Sequence, residues 1–122
     1  MLIRRAETME GQAMPIPGAD KVTMRMLLGR ADGAPTFAMR HFTVDAGGHT
    51  PQHQHNYEHG IHVVGGRGTV EVDGEPREIA AGDSLFIEPN VMHQFRADQG
   101  EPLQFLCMVP TTFDCGQPTP GS

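Results

Sequence analysis

No segment of this 122-residue chain holds a helical repeat of apolar residues for more than two turns. A packed helix needs an apolar stripe at 3.6-residue spacing, so the core is expected to be built from strands. What does recur is alternation, which places successive side chains on opposite faces of a strand. In Thr69-Val70-Glu71-Val72 the valines share one face, and Thr69 and Glu71 share the other. Asp73-Gly74 follows, and this pair tolerates the positive φ values of a two-residue hairpin turn. The return strand is expected over residues 75–79.

Further strands are expected over residues 25–28, 36–44, 59–64, 85–87, 92–96 and 103–109. Turns are expected at Ala46-Gly47-Gly48, Gly65-Gly66-Arg67-Gly68, Ala81-Gly82-Asp83 and Glu88-Pro89-Asn90. Many short strands at this spacing predict an all-β sandwich or barrel. In the last strand Leu103, Phe105, Cys107 and Val109 form the expected inner face, because Gln104 marks the other side as wet. The chain reads as a single domain over residues 1–122. Its core is expected over about residues 24–110. The first twenty residues and the tail from Thr111 are expected to be loosely held.

The net charge of −6, with nine scattered Lys and Arg, offers no basic stripe. Nucleic acid and anionic membranes are therefore not expected partners. No stretch approaches the length of a membrane span. No apolar run follows Arg4 and Arg5 to act as a secretion signal. With Cys107 and Cys115 the only thiols, a reducing cytoplasm is the expected location.

Residues 53–62, His-Gln-His-Asn-Tyr-Glu-His-Gly-Ile-His, hold four of the seven histidines. If residues 52–64 are extended, His53, His55, His59, Ile61 and Val63 share one face, and Glu58 and His62 take the other. Three imidazoles beside apolar neighbours suit a site inside a barrel. Imidazole is largely deprotonated near neutral pH and offers a lone pair to a metal. His41 lies in a strand apolar on both faces, so its direction is open, as is whether Cys107 faces the metal. His49 is expected to be solvated in its glycine turn.

The pattern Gly47-x5-His53-x-His55-x3-His59-x6-Gly66 resembles the first signature of the cupin superfamily, with His59 where most members carry Glu. His93, eleven residues after Gly82 with Pro89 between, resembles the second. The stretches FAMRHFTVDAGG, HQHNYEHGIHVV, FIEPNVMHQF and QFLCMVP resemble the small four-histidine cupins, some of which hold manganese. The resemblance implies a double-stranded β-helix, or jelly-roll, barrel, often a homodimer. It implies His53, His55, His59 and His93 as metal ligands.

Imidazole donors suit Mn, Fe, Ni, Cu and Zn. The resemblance puts Mn first and Fe second. Four neutral ligands leave a divalent ion its full positive charge, which favours a small anionic substrate. The expected activity is a metal-dependent oxidoreductase, dioxygenase-like, with Ile61, Val63, Phe95, Phe105 and Cys107 as pocket walls. No residue stands out as acid or base. The alternatives are non-redox isomerase or lyase chemistry, and ligand binding without catalysis.

Overall fold

A computed structural model of the chain describes residues 1–14 and 17–113. Eight strands run in the order β1 (Gln12–Ala13), β2 (Asp20–Leu28), β3 (Phe37–His49), β4 (His59–Val72), β5 (Glu75–Ala80), β6 (Ser84–Ile87), β7 (His93–Ala97) and β8 (Leu103–Pro110). Short 3-10 turns at Ala6–Thr8, Arg30–Asp32 and Thr111–Phe113 are the only helical pieces among the described residues. The barrel is closed and nearly all β, the expected jelly-roll fold. Among the described residues no helix is long and apolar enough to cross a membrane.

The two long strands build the barrel because each serves two sets of neighbours. The first part of β3 pairs with β8, and its last residue, His49, reaches Arg96 of β7. The first part of β4 pairs with β8 and β6, and its second part with β5 and β7. The turn expected at Gly65-Gly66-Arg67-Gly68 is absent, because β4 continues through it. The strand leaves β8 at Gly66 and joins β7 at Gly68, with a register shift between Val63 and Gly65. Gly66 has φ 77°, and a Cβ there would collide with the Pro102 carbonyl. Glycine thus lets one strand cross between sheets instead of reversing. β3 likewise runs through Ala46-Gly47-Gly48, so His49 ends a strand and contacts the Thr50 carbonyl at 3.2 Å.

Other expectations hold more closely. Asp73 (φ 49°) and Gly74 (φ 82°) form the hairpin turn between β4 and β5. Leu103, Phe105, Cys107 and Val109 are all buried, and Gln104, Leu106 and Met108 are half-buried. At the N-terminus, β1 pairs with β2, and Met14 is buried in the core. Cys115 lies outside the described residues.

The core is filled by inward residues of both sheets. Phe105 stacks on Phe95 with centroids 4.6 Å apart and on Phe42 at 5.3 Å. This aromatic stack fills the barrel below the histidines, and Phe95 meets His93 edge-on at 6.2 Å.

Candidate metal centre

Two elements supply the buried histidines. His59 begins β4 on its inner face, followed by Ile61 and Val63, and all three are buried. His93 begins β7, two residues before Phe95 on the same inner face. His53 and His55 precede β4. Residues 52–58 are not a strand: the chain bends at Asn56-Tyr57 after an isolated bridge from His53 to His93. That bridge is reciprocal, with His53 N–H donating to the His93 carbonyl at 3.0 Å and His93 N–H returning at 2.8 Å. Asn90 N–H donates to the His55 carbonyl at 2.6 Å. The two histidine-bearing segments are thus joined through their backbones.

His55, His59 and His93 each present one ring nitrogen, and these three atoms lie within 4.8 Å of one another. His53 is outside that converging set; its ring stacks on His55 with centroids 5.6 Å apart. His53 is held in its bridge to His93, and the chain from there to His55 is not regular strand, so parity does not fix both rings. Glu58 is exposed, as alternation expects, and His62 bonds Ser84 Oγ at 2.8 Å on the outer face. His41 also faces outward, into a groove shared with Arg5, Arg25 and Gln104. Burial, then the Arg25 charge, hold its pKa below the ordinary histidine value.

The converging set fits a metal ion. Two nitrogens each about 2.1 Å from one ion stand at most about 4.2 Å apart, so small ring movements close the set. The buried Nε2 of His59 has no hydrogen-bond partner, which leaves its lone pair free for an ion. His59 Nδ1 lies 3.5 Å from Cys107 Sγ, and His93 Nδ1–H donates to the Val91 carbonyl at 3.0 Å. Two of the three rings, His59 and His93, are therefore held through Nδ1, an arrangement of the kind that orients metal-binding histidines. Burial above all, then the charges of His93, His55 and Arg40, push the His59 pKa down to about 3. Its imidazole is neutral, and able to bind metal, across the physiological range. Burial and His93 also hold His53 below the ordinary value.

Cys107 is fully buried, and its Sγ meets His59 at Nδ1, behind the ring rather than at its orphan Nε2. Ile61, Val63, Phe95 and Phe105 are buried in the same interior. Two residues were not anticipated. Tyr57 is buried, stacks on His55 (5.0 Å) and meets His59 at a tilt (5.2 Å). Arg40 is fully buried, and its Nη2 donates to Cys107 Sγ at 3.3 Å. Parity carried a signal for both: Tyr57 alternates with His55 and His59, and Arg40 with Ala38 and Phe42.

Known proteins share this architecture. A polyketide cyclase, RemF from Streptomyces resistomycificus, superposes with a TM-score of 0.86 at 29% identity, over 91% of this chain and 80% of its own. A cupin 2 conserved barrel domain protein from Rhodopseudomonas palustris superposes at 0.73 with 31% identity, over 81% of this chain and 67% of its own. In sequence, the chain is 39% identical over 74 residues to 1-methylthio-D-xylulose 5-phosphate methylsulfurylase of Rhodospirillum rubrum. That match covers 61% of this chain and 47% of the relative, about half the relative's length. The family model for the cupin domain matches residues 40–109, from buried Arg40 to the end of β8's inner face, and on that match the chain belongs to the cupin family.

Proposed function

We propose that this cupin holds a divalent transition metal through His55, His59 and His93, with His53 as the fourth ligand. It acts as a metal-dependent oxidoreductase, dioxygenase-like, on a small anionic organic substrate. The observation that carries this reading is the convergence of three imidazole nitrogens with no carboxylate in the set. Resemblance to the four-histidine cupins favours manganese, then iron. The metal supplies Lewis acidity and sites for substrate binding. The chain's own residues do the rest. Cys107 and the Val91 carbonyl orient two rings. Ile61, Val63, Phe95 and Phe105 wall the pocket and exclude water. We place the protein in the cytoplasm as a homodimer, with exposed Phe37 and Phe86 on the face available to a second copy.

Elemental analysis of protein purified without a chelating tag tests the metal. A stoichiometric redox-active ion is expected, and a metal-free protein that takes up none refutes the reading. A second reading is non-redox chemistry through an enolate. It is favoured by the names of two similar proteins, a cyclase and a methylsulfurylase. Oxygen uptake during turnover separates the two.

Changing His59 to Glu adds a negative charge among neutral ligands. The metal's reduction potential is expected to fall, and anion affinity to weaken about tenfold. Voltammetry and oxalate titration of the loaded variant measure both; an unchanged potential and affinity would contradict the all-imidazole site.

A further inference from the structure

We infer that Arg40 is the anion-recognising residue of this centre, the group that binds an oxyanion of the substrate. The inference rests on the proposed metal site and names the chemistry of its ligand: a small carboxylate or enolate. Arg40 is 0% exposed. Nη2 donates to Cys107 Sγ, whereas Nε and Nη1 are buried without any hydrogen-bond partner. No Asp or Glu is among the buried described residues, and none forms an ion pair with Arg40. The Phe42 ring, 5.3 Å from the guanidinium carbon, gives its face to the cation but accepts none of the orphan N–H groups in plane.

A buried guanidinium without a carboxylate is costly, and each unmet donor adds to the cost. Such a group persists in a fold when something outside the fold completes it. Its position says what that is. Strand register sets Arg40, Cys107 and Ile61 side by side across β3, β8 and β4, one inward residue below Ala38, Val109 and His59. Arg40 therefore reaches His59 through a single sulfur, by contacts of 3.3 and 3.5 Å. On its own strand the next inward residue toward the histidines is Ala38, whose single methyl is the least obstruction a side chain can offer. A divalent ion on neutral imidazoles and a guanidinium leave this interior with positive charge and no fixed negative partner. An anionic ligand bound at the metal supplies that partner, and its second oxygen has Nε and Nη1 to accept from.

The test compares oxalate with its neutral amide, oxamide, by calorimetry on manganese-loaded protein and on Arg40→Met. The wild type is expected to lose about tenfold or more in oxalate affinity on substitution while oxamide binding stays level. Equal losses for both ligands, or no loss for oxalate, overturn the inference. If Arg40→Met does not fold, the metal-free wild type decides. Oxalate is then expected to raise its melting temperature above that in oxamide, and equal values overturn the inference. A protein that retains no manganese yet still separates oxalate from oxamide would sink the metal reading and leave Arg40 standing.

Discussion

Metal-free protein taken from about pH 7 to about pH 4 is expected to lose stability through His59 alone at a rate that approaches, and does not exceed, about 1.4 kcal/mol per pH unit below pH 6.5. The sign follows from the depressed pKa. Above 6.5 both states leave His59 neutral, and its contribution is complete. Between 6.5 and about 3 the unfolded chain takes up a proton that the folded chain refuses, so the equilibrium drifts toward unfolding. His53 and His41, also held below their ordinary values, push the same way. Urea unfolding of chelator-treated protein at several pH values measures the slope. His59→Gln, which has nothing to titrate at this position, should flatten it. A wild-type profile as flat as the variant's would mean that water reaches this ring and the buried centre is misdescribed.

The second large effect lies in the aromatic stack. Phe105→Ala is expected to cost about 3–5 kcal/mol, from lost burial and the cavity left behind. Phe105 is fully buried against both Phe42 and Phe95. Domains of this size have about 5–15 kcal/mol in total, so much of the stability would go. The denaturant midpoint should fall with little change in slope. Phe86→Ala, on a ring 65% exposed, should change monomer stability by no more than about 0.5 kcal/mol. If the two variants behave alike, the stack does not hold the barrel together. Because Phe95 packs under His93, Phe105→Ala should also loosen metal binding in the molecules that remain folded.

The fold was legible wherever alternation and turn chemistry agreed. The Asp73-Gly74 hairpin and the inner face of β8 needed no tertiary information. Glycine clusters misled, because a glycine that lets two backbones touch looks in sequence like a glycine that lets one reverse. Gly66 is the first kind; only the neighbouring Pro102 carbonyl, far along the chain, distinguishes it. At the site, periodicity put His59 inside and Glu58 outside because they lie at and immediately before the start of a regular strand. The same rule does not place His53 relative to His55, because residues 54 and 55 lie outside any strand. His93 was found through resemblance, since nothing local to it announces a ligand. Arg40 was hidden by composition: a charged residue between apolar ones is ordinarily read as pointing to water.

The paired backbone hydrogen bonds between His53 and His93 have a consequence for how the centre fills. They pin one end of residues 54–58, and β4 pins the other. His55 lies on a short arch between two anchors, half-exposed and tied at its carbonyl to Asn90 N–H, while His59 and His93 are fixed to the barrel wall. The expected path for an ion is past this half-exposed ring, with the barrel walls unmoved. Exchange should accordingly answer to changes in that loop, and the lifetime of the loaded state is set apart from the stability of the domain that carries it.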